Sequence, residues 1–281
     1  MSIYDSLINA SRFASSRWRA TQHQGREEEG QIWRHAITHI DFIYATGQVY
    51  LFEDYLKDIA PHPRPLVSTA LDARKDAVNS QQLMDLLLKD FDETREPEQQ
   101  SANILIHLIN FIADTRQLDT CEDYINNRLD YAPLAIAHFT TRDEAEAWLK
   151  GPAEPPSPAN ILIGDEYYQA VYGREDNTRF MYRDYIIEPY IGEFAKKGLP
   201  PTTPSFETRA EAEAWLKAHP ASPFDFVSIA GEHYFAVHHK GLQRHTLHHV
   251  ASALTKWEEM KKAAEQEKAE DAAAESEGED E

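Results

Sequence analysis

The chain has 281 residues, of which 42% are hydrophobic and 11% aromatic, so it can bury a core and is not a wholly disordered chain. Forty-eight acidic residues against 28 basic ones give a net charge of −20, which excludes nucleic-acid binding through a general basic surface. No apolar run approaches the ~18 residues of a membrane span, and no secretory signal begins the sequence. We therefore predict a cytoplasmic protein.

The first 130 residues predict a mostly helical region. Apolar residues recur at helical spacing over 3–18, 28–46, 80–90 and 101–115. The chain's one basic cluster begins in the first of these segments, interleaved with two aromatic residues. Its members are Arg12, Arg17, Arg19 and Arg26, with Phe13 and Trp18 between them. A core helix with solvated arginines is favoured over a docking helix for an acidic partner or a membrane surface.

A faint duplication lies within this helical region. Residues 41–56 match residues 110–125 at a constant offset of 69, with T-x-Q and E-D-Y triplets in both. The adjacent carboxylates of E-D-Y point about 100° apart on a helix, so capping and surface solvation are favoured over an acid–base pair. After it, residues 65–74 parallel residues 133–142, but no tryptophan or hairpin follows. We interpret this as a decayed or rebuilt copy of a larger unit.

A second internal repeat is the strongest signal in the sequence. Phe139–Lys150 returns as Phe206–Lys217, with ten of twelve positions identical. Further on, residues 161–172 match residues 227–238. Agreement in two separate segments indicates a duplicated structural unit.

Each copy of this repeat predicts the same series of elements. A strand leads to a helix that begins with a threonine cap and a glutamate three residues later, which is a capping box. A proline-rich loop follows, and then a two-stranded hairpin around Gly164-Asp165 or Gly231-Glu232. In this β-α-β-β unit, Trp148 or Trp215 pins the helix to the sheet. Because such a small sheet is not stable alone, we expect the two copies to pack together.

The last 26 residues differ in composition from the rest of the chain. Residues 256–281 contain four lysines and eleven acidic residues. The segment 256–268 contains strong helix formers and predicts a helix. Residues 270–281 have no large apolar side chain and are interpreted as a disordered acidic tail. A solubilising tail is favoured over a partner-binding or degradation-sensing one.

Three motifs occur in a fixed order: T-x-Q-x4-E-D-Y-[LI], then F-x-T-R-x-E-A-E-A-W-L, then the I-G-D-E-Y hairpin. Over roughly residues 30–250 this pattern resembles a mostly uncharacterised paralogous family of myxobacterial proteins that have one or two such units. The resemblance supports the architecture, and it implies no reaction, cofactor or active-site residue.

Together these patterns predict an α+β fold with a helical N-terminal region, two tandem β-α-β-β units that pack together, and a disordered acidic tail. The predicted domains are a helical region with the degenerate copy (1–130), the first unit with a connecting helix (131–198), the second unit (199–255), and a helix running into the tail (256–281).

Six histidines lie within 17 residues, from His233 to His249. On a helix, three of them would have the spacing to share a metal ion: His245, His248 and His249. The aligned positions of the first copy carry tyrosines, so the scaffold does not need a metal. An aromatic-like surface of histidines is favoured, a pH-sensitive contact surface is a further alternative, and no cofactor is expected.

The sequence has no G-x-S-x-G, phosphate-loop or dinucleotide-loop motif. Its single cysteine, Cys121, lies beside acidic residues and is not expected to be a nucleophile. We therefore predict a non-catalytic protein-binding regulator, an inhibitor or immunity-type partner of a basic or secreted effector such as a protease or toxin. The alternative is a metal-binding protein or enzyme that uses residues 233–249. The expected partner contacts are Tyr167, Tyr172, His233 and His238; the oligomeric state stays open.

Overall fold

The computed structural model describes residues 2–59, 62, 64–127, 132–198, 200, 203–221 and 223–278, with side chains as far as Gln266 except at position 264. The chain forms two compact units. The first consists of Met1–Asp130, Asp143–Asn160 and Gln169–Met181, and the second of Tyr131–Arg142, Ile161–Tyr168 and Tyr182–Glu281. No helix in the described part of the chain combines the length and the apolar character needed to cross a membrane.

Helices build most of the first unit, as the sequence predicted. In chain order they are α1 (Ile3–His23), α2 (Glu27–Ala45), α3 (Val49–Asp58), α4 (Thr69–Asp72), α5 (Val78–Glu93), α6 (Glu98–Asp114) and α7 (Leu118–Asn126). Helix α1 begins at a capping box, in which Ser2 and Asp5 each satisfy a backbone N–H of the other. The four predicted helices are confirmed, with ends that differ by at most five residues.

A core cluster of apolar side chains from α1 to α7 fills the helical part of the first unit. Trp33, Phe42 and Phe52 are among its fully buried members. Phe13 of α1 meets the Trp33 ring edge-on at 5.6 Å, so α1 packs into the core. This agrees with the interpretation of α1 as a core helix rather than a docking helix.

The faint duplication is visible as two copies of one helix–turn–helix, α2–α3 and α6–α7. In each, the threonine hydroxyl donates a 2.6 Å hydrogen bond to a backbone oxygen one turn earlier, at Phe42 or Phe111. The following residue, Gly47 or Arg116, adopts a positive φ that ends the helix. The T-x-Q triplet therefore encodes the turn between the paired helices.

The glutamines of the two triplets meet each other. The Gln48 side-chain amide donates to the Gln117 amide oxygen, and Gln117 donates back to Gln48, each at 2.7 Å. Like residues pair in this way around a two-fold axis. The two helix–turn–helix copies thus face each other with local pseudo-two-fold symmetry. This symmetry explains why both copies have a glutamine at this position.

Each tandem repeat forms a helix-bearing sheet of four strands. The first contains β1 (Ala137–Phe139), α8 (Arg142–Lys150), β2 (Ala159–Ile163), β3 (Glu166–Gly173) and β4 (Thr178–Arg183), and α9 (Glu188–Lys196) follows it. The second contains β5 (Ser205–Phe206), α10 (Arg209–Ala218), β6 (Phe224–Ile229), β7 (Glu232–His239) and β8 (Arg244–His249). Both sheets have the same sequential strand order. The first strand pair is parallel in both, with the helix as its crossover.

The α+β fold is therefore confirmed, and each predicted β-α-β-β unit gains a fourth strand. Within the second unit, side chains of the first copy, Leu162 and Tyr167, share a core cluster with Phe226, Phe235 and Val237 of the second copy. The expected packing of the copies against each other is confirmed in this cluster.

The tryptophans contribute less to the repeat cores than expected. Trp148 and Trp215 are half-buried, whereas Leu149 and Leu216 beside them are buried. The Trp215 ring stacks on His219 at 4.6 Å and lies 5.8 Å from Phe206. In α10, the buried Ala212 and Leu216 form part of the core cluster over the sheet, and the half-buried Trp215 packs against that cluster.

The long last helix, α11 (Val250–Gly278), contains the helix predicted over 256–268. The predicted acidic tail, residues 270–281, coincides with the end of α11 and with three residues outside the described part of the chain.

Candidate functional site

The predicted contact residues of the first hairpin are buried. Tyr167 is 1% exposed, and its hydroxyl donates to the Pro133 carbonyl at 2.8 Å. Tyr172 is 5% exposed, and its backbone is bonded to the Ser157 side chain. The expectation that both are exposed anchors is wrong, because each ring lies in packed structure. His233 and His238 are half-buried, and their partner contact stays a prediction.

The histidine segment is a strand rather than a helix. His245 and His248 belong to β8, which pairs antiparallel with β7. Side chains alternate along a strand, so His245 and His249 share one face while His248 points to the other. The three metal candidates are therefore not brought together. Among the residues that the structure describes, no group of three or more His, Cys, Asp or Glu side chains could hold a metal ion.

The two faces of this strand pair hold histidines in different ways. On one face, the His238 and His245 rings stack at 4.5 Å. On the other, buried His239 and His248 both contact the Thr246 hydroxyl, at 2.9 and 3.0 Å. Burial lowers the pKa of His239 to about 3 and that of His245 to about 4. These imidazoles are neutral near pH 7 and act as packing and hydrogen-bonding groups.

The turn of the first hairpin carries an ion-pair network that sequence reasoning missed. Asp165 pairs with Arg209 at 2.6 Å and contacts Arg244 at 3.9 Å. Glu166 pairs with Arg183 and lies 3.6 Å from Lys256. Acidic residues are common at turns, so Asp165 and Glu166 alone gave no signal in the sequence. Only the basic residues that pair with them, which are distant in sequence, could have indicated this network.

A cavity of about 200 Å³ adjoins the same network. Glu188 lines it, is 3% exposed, and accepts a 2.8 Å bond from Arg183. Burial raises the pKa of Glu188, and the neighbouring Arg183 acts in the opposite direction. The charges around this cavity satisfy one another, which identifies it as a structural junction of the second unit.

A larger cavity lies in the first unit and is walled by tyrosines. We name it the tyrosine cleft; it has a volume of about 600 Å³ and is lined by Ser2, Ile3, Tyr4, Tyr50, Glu53, Gly173, Arg174, Glu175 and Asp176. The Tyr4 and Tyr50 rings stand edge to face, 5.9 Å apart. Burial, helped by a hydrogen bond with Tyr50, raises the pKa of the Tyr4 phenol, which therefore stays neutral.

One guanidinium lies at the wall of this cleft. Arg174 sits over the Tyr50 ring, 4.6 Å from its centre. Its Nη1 donates to Glu53 at 2.6 Å and to Asp54 at 2.7 Å, and its Nη2 donates to Asp54 at 2.7 Å and to Glu154 at 2.5 Å. These bonds to Arg174 lower the pKa of Asp54. The guanidinium of Arg174 is therefore held between an aromatic face and carboxylates at the wall of the cleft.

This geometry corrects one expectation. The adjacent carboxylates of the E-D-Y triplet were expected to diverge, but Glu53 and Asp54 both reach Nη1 of Arg174. Each terminal nitrogen of an arginine carries two N–H groups, so Nη1 can donate to two carboxylates whose side chains leave the helix in different directions. The duplicated triplet was the available signal, although nothing in the sequence pointed to Arg174.

The carboxylates of the cleft outnumber its cations. Glu53, Asp54 and Glu154 surround Arg174, and Lys57 reaches the first two from the solvent side. At the rim, Glu175 and Asp176 are exposed. Among the residues that line the cleft, three carboxylates (Glu53, Glu175 and Asp176) stand against one cation (Arg174), and this acidic surplus favours a cationic ligand.

Two further open grooves, each of about 590 Å³, flank α6 and share Asn103 and Ile104. Exposed Leu66 and Val67 line one of them. Arg12 of the basic cluster lines the other groove, and Arg17 is paired with Asp90 and Glu98. These grooves carry less charge than the tyrosine cleft and do not indicate a ligand class.

Comparisons of the chain with protein-family models, curated proteins and solved structures found no match. The resemblance to the myxobacterial family stays a prediction.

Proposed function

We propose that this chain is a non-catalytic protein-binding regulator of the cytoplasm, which holds a basic protein as an inhibitor or immunity-type partner. The observation that carries the proposal is the tyrosine cleft, in which Tyr4 and Tyr50 form an aromatic wall beside a surplus of carboxylates. Tyrosine and arginine are enriched among the residues that dominate protein interfaces. A basic partner with an arginine at its contact surface fits both properties of the cleft.

The charge of the whole chain favours the same class of partner. A net charge of −20 attracts a basic protein over a distance and raises the rate of encounter. Salt screens exposed charges that lie more than about 8 Å apart at physiological ionic strength, so association should slow as salt rises. The aromatic contacts, which salt does not screen, would then set the lifetime of the complex.

The alternative of a metal-binding protein or enzyme draws no support from the geometry. The strand places His248 on the face opposite His245 and His249, so the expected ligands do not converge.

The test is capture of a partner with matched charge reversals. Full-length tagged protein is used to isolate partners from the native cells, and the identified protein is then bound to purified variants. Glu175→Lys reverses an exposed rim charge of the cleft, and Asp85→Lys reverses an exposed charge on α5 that lies outside it. We expect Glu175→Lys to weaken binding at least tenfold and Asp85→Lys to change it less than threefold. Equal effects of the two reversals would assign binding to another surface.

A further inference from the structure

We infer that Arg174 is a built-in occupant of the tyrosine cleft, and that the cleft binds a partner's arginine side chain in competition with it. This inference rests on the proposed function and names its ligand chemistry. The chain itself shows which group the cleft accepts, because a guanidinium is held there between the Tyr50 ring and three carboxylates.

The contacts of Arg174 are those by which proteins recognise arginine. Asp54 accepts two bonds, one from each terminal nitrogen, at 2.7 Å, which is the bidentate geometry that distinguishes arginine from lysine. The ring of Tyr50 adds a cation–π contact at 4.6 Å. Glu53 and Glu154 complete the set of acceptors. A guanidinium from another protein would find the same acceptors.

The Arg174 side chain can leave without unfolding the turn that carries it. Its backbone N–H, rather than its side chain, donates to the Tyr50 hydroxyl at 3.2 Å. The Tyr50 hydroxyl in turn donates to the Tyr172 carbonyl at 3.2 Å. The Asp176 carboxylate accepts the Thr178 N–H at 3.0 Å across the turn between β3 and β4. None of these three bonds uses the Arg174 side chain, so its displacement would leave them in place.

The cleft also has space for an incoming side chain. Its volume of about 600 Å³ opens beside Arg174 and is bordered by Tyr4 and the exposed Glu175. An arriving arginine therefore meets the rim carboxylates first and the Arg174 acceptors second. Arg174 therefore competes with basic partners for the same acceptors. This competition lowers their affinity and favours partners that make additional contacts.

The experiment titrates full-length protein with the peptide acetyl-tetra-arginine amide at physiological salt and follows binding by calorimetry. Three proteins are compared: wild type, Arg174→Ala, and Arg64→Ala. Arg64 pairs with Asp92 on the surface of the same unit, so its removal changes the net charge equally without touching the cleft. We expect Arg174→Ala to bind the peptide at least tenfold more tightly than wild type, and Arg64→Ala to bind within twofold of wild type.

Arg174→Met serves if circular dichroism shows that Arg174→Ala is unfolded, because Met keeps an aliphatic stem beside Tyr50. Tighter binding by either folded Arg174 variant, relative to Arg64→Ala, supports the inference. Equal or weaker binding overturns it and makes Arg174 a structural clip. That result leaves the proposed function standing if Glu175→Lys still weakens capture of the partner, so the two failures are distinguishable.

Discussion

Acid should destabilise the second unit through His239, because the folded protein holds this imidazole neutral. His239 is 4% exposed, and burial is the main cause that lowers its pKa to about 3, with the neighbouring His248 and Arg244 acting in the same direction. In the unfolded chain the ordinary pKa is ~6.5. Below that pH the unfolded state binds the extra proton, so stability is full above ~6.5 and is lost as the pH falls toward 3.

The magnitude follows from the difference between the two pKa values. Each pKa unit corresponds to ~1.36 kcal/mol, and at pH 4.5 the unfolded histidine is almost fully protonated while folded His239 is not. The expected loss between pH 7 and pH 4.5 is ~2–3 kcal/mol from this residue alone. That is a large share of the stability of an ordinary domain.

The assay is urea unfolding at both pH values, followed by the fluorescence of tryptophans and by circular dichroism. His239→Gln keeps a side-chain group that can bond Thr246 but cannot titrate. We expect its loss of stability on acidification to be smaller than that of wild type by ~2–3 kcal/mol. The control is His23→Gln, at an exposed position near the end of α1. An identical pH dependence in wild type and His239→Gln would refute the reasoning.

Two other predictions concern stability at neutral pH. Gln48→Ala and Gln117→Ala should each lower the free energy of unfolding by ~1–2 kcal/mol, because each leaves the other amide without its reciprocal partner. The double variant should lose much less than the sum of the two single losses. Additive losses in urea unfolding would contradict the paired arrangement. Leu216→Ala should lower the free energy of unfolding by ~2–4 kcal/mol, because Leu216 is fully buried. Trp215→Ala should lower it by less, because Trp215 is half-buried. A larger loss for Trp215→Ala would show that the tryptophan is the main contact of α10.

Periodicity and repetition predicted most of the fold. The helical region and the tandem units follow from apolar spacing and near-identical motifs, because both are local properties of the sequence. The fourth strand of each sheet was missed for a physical reason. In β8, the spacing of His245, His248 and His249 is compatible with a helix, whereas their β-branched and apolar neighbours favour a strand. Pairing with β7, which is not a local property of the sequence, decides in favour of the strand.

The site was harder to predict than the fold because its residues are distant in sequence. Arg174 meets Glu53 and Asp54 across about 120 positions, and no local pattern links them. The residue types of the first hairpin also led to an incorrect expectation about which side chains are exposed. Tyrosines on a short strand suit an exposed contact surface as well as a core, and the burial of Tyr167 and Tyr172 depends on what packs over them.

The two E-D-Y triplets show how one duplicated motif came to serve two purposes. In the second copy, Glu122 accepts hydrogen bonds from the backbone and side chains of Asn79 and Ser80, at 2.6–3.3 Å, and so caps the start of α5. The carboxylate oxygens of Glu122 are therefore occupied by uncharged N–H and O–H donors of the first unit. The capping interpretation therefore holds for Glu122.

In the first copy, the described residues show no helix start bonded to the equivalent carboxylates. Glu53 and Asp54 instead bind the charged side chain of Arg174. Displacing Glu122 from the backbone N–H groups that it accepts would remove a helix cap, at a cost of about 1 kcal/mol, whereas one guanidinium can be replaced by another. If Arg174 exchanges with a partner's arginine as inferred above, exchange at Glu53 and Asp54 replaces one ion pair by another, whereas exchange at Glu122 would remove a helix cap.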